Sequence, residues 1–186
     1  MKQTIIAYVK NEPGVLNRIA RHFYRLNYNI ESIVAGRSGK RGITRITIVC
    51  HHSDHYNQSL IRKHLAELDT VIKVIDITHV PSVVREYALI KVQTEKEDME
   101  KLKKFISDKG AKLVDGGGCV CIVEATGKVD EVEELIKEFN QLNVLEIMRS
   151  GKMAMVCADQ DEHRVEMEEI DRKQDWATEQ MSEALS

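Results

Sequence analysis

Four clusters of residues have types and spacings capable of chemistry. The first is Asn11-Glu12-Pro13-Gly14-Val15-Leu16, where a short β-branched run gives way to a helical repeat. Proline suits a helix start because it has no N–H to leave unpaired there, and glycine lets backbone approach a ligand closely. The free N–H groups and the dipole of a helix start attract a carboxylate. Asn11 can cap that helix or turn its side-chain oxygen toward an ammonium group. The second cluster, Asn27-Tyr28-Asn29-Ile30-Glu31-Ser32, puts Asn29 where the helix hands over to a strand. Its amide can end the helix in the left-handed conformation. Alternatively it can bond both ends of a zwitterion, accepting from ammonium and donating to carboxylate. On pattern alone a capped turn is the better account of the first cluster, since strand–turn–helix junctions with Pro and Gly are common.

The third cluster is His51-His52-Ser53-Asp54-His55. Three imidazoles and a carboxylate are the donors of a zinc or nickel site. The spacing matches no standard site, and adjacent histidines in a strand point to opposite faces. A solvated loop with a helix cap at Ser53 or Asp54 is the better reading, so no metal site is expected. The fourth, Asp115-Gly116-Gly117-Gly118, lacks the lysine and hydroxyl of a phosphate loop and reads as an Asp-Gly hairpin turn. Cys119 and Cys121 follow on one strand face and are expected in the core. No nucleophile elbow, catalytic carboxylate pair or dinucleotide fingerprint is present. The chemistry is that of a binding module, with no catalytic residue.

The elements that position these clusters come in a repeated order. Residues 4–9 read as a buried strand. Val15, Leu16, Ile19, Ala20, Phe23 and Leu26 recur at helical spacing, and residues 30–36 form a second strand. After a glycine-bearing turn at 38–42, residues 43–50 alternate, with Ile46, Ile48 and Cys50 on one face and Arg45, Thr47 and Val49 on the other. Leu60, Ile61, Leu65 and Leu68 mark a helix, and residues 71–77 a fourth strand. The pattern is βαββαβ, the ferredoxin-like order. Beyond Pro81 it starts again: a strand at 86–93, a helix with Met99, Leu102, Phe105 and Ile106, and strands at 112–115 and 119–125. A helix with Val129, Val132, Ile136 and Phe139 follows, then a final strand region at 144–156. The fold class is α+β, with two ferredoxin-like domains at 1–79 and 84–157. A sheet covered by helices on one face leaves its other face for a partner, within the chain or in a dimer.

Composition sets the outer bounds. The chain has 186 residues, 42% hydrophobic and 31% charged, with a net charge of −3. No apolar run approaches the roughly 18 residues of a membrane span, and no secretory signal opens the chain. The four cysteines read as reduced thiols of a cytoplasmic protein. The charge argues against a nucleic-acid binder, which is usually basic. It is also uneven. Residues 158–186 hold ten acidic and three basic side chains, net −7, so the first 157 residues carry +4. That acidic tail is read as a partly helical appendage.

The run Asn11 through Leu16, followed by Tyr28-Asn29-Ile30-Glu31-Ser32, resembles the first half of an ACT domain. Adding Thr44-Arg45-Ile46-Thr47-Ile48-Val49, Arg85-Glu86-Tyr87-Ala88-Leu89-Ile90-Lys91-Val92 and Glu146-Ile147-Met148-Arg149-Ser150-Gly151 narrows this. The set resembles the regulatory (small) subunit family of acetolactate synthase, over roughly residues 2–157. The resemblance implies a non-catalytic subunit that binds and activates a thiamine-diphosphate-dependent catalytic subunit. It implies feedback inhibition by a branched-chain amino acid, usually valine, bound between two ACT domains of a homodimer. The ligand residues it implies are Asn11 and Gly14 with their loop, and Asn29 from the facing domain; Val15, Leu16 and Ile30 are expected to line the apolar part. No intrinsic cofactor is implied: thiamine diphosphate, magnesium and FAD belong to the catalytic subunit. A free-standing ACT-domain amino-acid sensor is the alternative.

Overall fold

The computed structural model describes residues 2–51, 58–116 and 118–159, apart from the side chains of residues 58, 59 and 96. His52 to His55 of the histidine run lie outside these residues, as does the tail from residue 160. By internal contacts the chain divides into two compact units. One runs to Val83 and includes the segment that starts at Ala154; the other is Val84–Met153.

The first unit contains β1 (Lys2–Lys10), α1 (Val15–Arg25), β2 (Asn29–Arg37), β3 (Ile43–His51), α2 (Gln58–Ala66) and β4 (Val71–Asp76). The strands form one sheet in the order β2-β3-β1-β4, each pairing antiparallel. α1 presents Val15, Ile19 and Phe23 at fourfold spacing to Ile5, Ala7 and Val9 of β1 and to Ile46, Ile48 and Cys50 of β3. The alternation in residues 43–50 therefore does set the inward face. Thr47 and Val49, on the other face, are 1% and 0% exposed as well. Beside them Arg45 donates to Thr47 Oγ1 at 3.0 Å and to the carbonyl of Ala154.

The end of α1 differs from the sequence reading in one residue. The left-handed position is Asn27 (φ 56°), and Asn29 is already the first residue of β2. Tyr28 N–H donates to Phe23 O at 2.9 Å and Asn27 N–H to Tyr24 O at 3.1 Å. These are the two bonds of a Schellman motif, and the edge-on contact of Phe23 with Tyr28 at 6.2 Å is its hydrophobic partner. Pro13 also lies just ahead of α1, not in its first turn.

The second unit has β5 (Ser82–Gln93), whose first residues belong with the first unit, then a 3-10 turn (Lys96–Asp98) and α3 (Met99–Asp108). β6 (Lys112–Gly116), β7 (Val120–Gly127), α4 (Val129–Phe139) and β8 (Asn143–Arg149) follow. The order β6-β7-β5-β8 repeats that of the first sheet, and a short β9 (Met153–Val156) also pairs with β5. Both halves are thus ferredoxin-like. At the β6–β7 hairpin, Gly116 faces Cys121 so closely that an added Cβ would lie 2.9 Å from the cysteine's own. Cys121 is in the core, at 1% exposure, but Cys119 is exposed in the bend before β7. The expectation that both cysteines share a buried face is corrected: β7 begins one residue too late to include Cys119.

The motif residues near both ends of this unit meet. Glu86 is 3% exposed and accepts from Arg149 Nε and Nη2, each at 2.8 Å. Next to this pair, Ser150 Oγ accepts from Tyr87 N–H at 3.0 Å, and Ser150 N–H donates to Tyr87 O at 2.9 Å. A buried carboxylate without its partner is costly, but the Arg149 side chain is 37% exposed and water offsets part of that cost. Arg149→Met should lower stability in urea by about 2 kcal/mol, and Glu86→Leu with Arg149→Met should recover most of the loss. Burial pushes the Cys50 thiol up to about 12, with the Asp76 charge adding to the shift. At pH 8, a thiol reagent should therefore label Cys119 in the native protein and leave Cys50 untouched until urea unfolds the first unit.

Candidate functional site

The β1–α1 loop starts where the central strand runs out. Lys10 N–H donates to Thr70 O and Asn11 N–H to Gly42 O, both at 2.8 Å. The loop is thus pinned on one side to the approach to β4 and on the other to the β2–β3 hairpin. Gly14 then turns the chain in the left-handed conformation (φ 86°) and serves as the N-cap of α1. No side chain caps the helix and no acidic residue stands in its first turn. Its first N–H groups have no intrahelical acceptor, so the positive end of α1 is left open.

Asn11 does not cap the helix. Its Oδ1 accepts from the Thr44 hydroxyl at 3.3 Å. A cavity of about 700 Å³ opens here, walled by the loop, the first turn of α1, the end of β2 and the start of β3. Of the six residues expected to bind ligand, Asn11, Gly14, Val15 and Leu16 line it. Val15 is mostly committed to the core, while Leu16 is 49% exposed.

Asn29 and Ile30 lie elsewhere. Asn29 pairs with His51, at the end of the sheet where β1 begins, whereas Arg37 pairs with Thr44 beside the cavity. The two ends of β2 are about 26 Å apart at strand rise. Ile30 packs against the core of the first unit. Within one chain, these two residues and the loop do not meet. The sequence reading also did not find Ala35, Gly36, Arg37, Thr44 and Ile46, which form the β2 and β3 walls of the cavity. Their signal is topological: an antiparallel β3 must begin where β1 ends.

At the other end of the sheet, Glu31 bonds Lys2 at 2.5 Å and also contacts His51. Among the described residues, no group of three or more His, Cys, Asp or Glu side chains is arranged to hold a metal ion. None of the described helices is long and apolar enough to cross a membrane. A second cavity of about 650 Å³ lies in the other unit, between α3 and the α4–β8 turn. Its rim charges are already paired, Lys101 with Asp98 and Lys109 with Glu138, each at 2.7 Å. The first cavity keeps its donors open, and that makes it the better ligand site.

Comparison with known proteins adds to this geometry. A family profile described as "Small subunit of acetolactate synthase" matches residues 85–157, and one described as "AHAS small subunit-like ACT domain" matches residues 5–73. The chain is 38% identical over 156 residues to the probable acetolactate synthase small subunit of Archaeoglobus fulgidus, covering 84% of this chain and 97% of that one. It is 36% identical over 154 residues to the acetolactate synthase small subunit of Bacillus subtilis, covering 83% and 90%. The crystal structure of the acetolactate synthase small subunit from Thermotoga maritima superposes with a TM-score of 0.79 at 33% identity, over 86% of this chain and 99% of that one.

The left-handed glycine yields a direct test. An added Cβ at Gly14 meets nothing within 4 Å, so only the backbone conformation opposes a side chain. Gly14→Ala should cost about 1–2 kcal/mol in urea denaturation. Gly39→Ala, at an open glycine without a positive φ, should cost less.

Proposed function

The chain belongs to the acetolactate synthase small-subunit family, and from that premise we propose that it binds and activates the catalytic subunit and makes it sensitive to valine. The observation that carries this reading is the open N-terminus of α1, set in a cavity with apolar walls at Val15, Leu16, Ala35 and Ile46. Unpaired N–H groups and the helix dipole suit the carboxylate of an amino acid. The apolar wall suits a short branched side chain. One methylene changes affinity in such a pocket by only about 1–3 kcal/mol, so leucine and isoleucine belong in the same test.

Asn29 joins the site from a second copy. β2 is one of the two edge strands of its sheet, the one beside the cavity, and is largely exposed. Antiparallel pairing of β2 with β2 of another chain, over its whole length, sets Asn29 of one opposite Arg37 of the other, beside that chain's cavity. A ligand held by both chains then favours one dimer arrangement, and the catalytic subunit responds to that arrangement. This chain contributes no catalytic group. Thiamine diphosphate, magnesium and FAD act in the partner, which joins two pyruvates, or pyruvate and 2-oxobutyrate, in the cytoplasm.

Mixing the protein with a purified acetolactate synthase catalytic subunit tests the reading. Activity should rise, and valine should lower it again. Asn29→Ala and Gly14→Asp should keep the activation and lose the valine response. Absence of activation, or activation that no branched-chain amino acid reverses, would overturn it.

A further inference from the structure

We propose that Thr44 is a positioning residue of the effector cavity, whose hydroxyl holds the Asn11 amide with its two N–H donors turned to the carboxylate of the ligand. This rests on the effector reading above and deepens it, because it decides which end of the amino acid Asn11 serves.

A primary amide has an acceptor at one end and two donors at the other. Here the acceptor end already holds one bond while both donors are open: Thr44 Oγ1 donates to Asn11 Oδ1 at 3.3 Å, and both residues line the cavity. Among the described residues, nothing bonds Asn11 Nδ2. The lock sits on a rigid base. Thr44 lies within β3, paired on one side with Val9 of β1 and on the other with Arg37 of β2. The same hairpin holds the Asn11 backbone, whose N–H donates to Gly42 O at 2.8 Å. Backbone and side chain of Asn11 are therefore both set by the start of β3 before any ligand arrives.

The surroundings favour the same polarity. The first turn of α1 has no acidic residue, and Lys10 and Arg37 stand on the cavity wall against a single carboxylate, that of Glu12. Asn11 thus joins the helix N-terminus at the carboxylate end of the site. An ammonium group belongs at the other end, where the second copy contributes.

Titration calorimetry of the full chain with L-valine tests this. Thr44→Ser keeps the hydroxyl and should bind like the wild type. Thr44→Val keeps the shape, removes the hydroxyl and should bind roughly three- to tenfold more weakly. In an Asn11→Ala background, Thr44→Val should have no further effect. Asn11→Asp, which leaves β3 unchanged, sets a carboxylate where the donors stood and should weaken valine more than tenfold. Asn11→Asp binding as tightly as the wild type would place Asn11 at the ammonium end and overturn the assignment. Equal binding by Thr44→Val and wild type, or equal weakening by Thr44→Ser and Thr44→Val, would also overturn it while the effector reading stands. No heat from the wild type with valine, leucine or isoleucine overturns both.

Discussion

The hydrogen bond from Asn11 N–H to Gly42 O joins the end of the central strand to the hairpin beside it. It follows from the β1–β3 register. Lys10 stands opposite Ile43, so the next residue of β1 must meet the turn that precedes β3. Once that bond is made, the chain has two residues before Gly14 to leave the sheet and start a helix across it. A left-handed glycine makes the turn, and α1 is then aimed with its N-terminus over the end of β2. The cavity is the space this turn leaves between helix start and sheet edge. Its walls are therefore backbone-determined, and side chains such as Leu16 and Thr44 only tune it.

The two domains show why one cavity is open to an anion and the other is not. They share strand order and helix placement, yet they differ at the strand-to-helix junction. In the second domain a 3-10 turn leads into α3, with Asp98 at the N-cap and Glu100 in the first turn, so acidic groups already face the positive end. α4 is satisfied likewise, by Asp130 and Glu131 in its first turn. The Glu131 carboxylate accepts from Lys128 N–H at 2.7 Å, and that bond holds its pKa below the usual carboxylate value. α1 has a glycine cap, no acid in its first turn, and Asn11 committed to Thr44. A helix end that the chain itself neutralises has little to offer an anion. The two domains therefore differ in where their acids stand: those of the second sit at its helix starts or, like Glu86 with Arg149, in ion pairs.

Much of this was legible in the sequence because local chemistry decided it. The alternation of Ile46, Ile48 and Cys50 names the inward face of β3, and Gly14 after Asn11 marks the junction that forms the cavity. Errors arose where neighbours in sequence are not neighbours in space. Asn27 and Asn29 are two residues apart with the same side chain, and only the Schellman bonds to Phe23 and Tyr24 show which one turns the helix off. Cys119 and Cys121 have the spacing of one strand face, but the strand begins between them. Ile30 is apolar and beside Asn29, which is equally true of a core residue, and the core is where it packs. Thr44 is invisible as a site residue until β3 is laid against β1.

In the proposed assembly the position of β2 would tie ligand to partner. Its last residues, Ala35 to Arg37, are wall to the cavity, and the same strand is one edge of the sheet. An edge strand presents unpaired N–H and C=O groups to any chain that pairs with it. A second β2 laid along it would close the open side of the cavity. Binding and pairing then share a coupling free energy, and linkage makes it reciprocal: whatever factor the ligand adds to pairing, pairing adds to ligand affinity. No hinge or internal rearrangement of the domain is needed for that coupling. On the proposed reading the cavity is half a site, and the strand that would complete it is the one through which a change in assembly would reach a third chain.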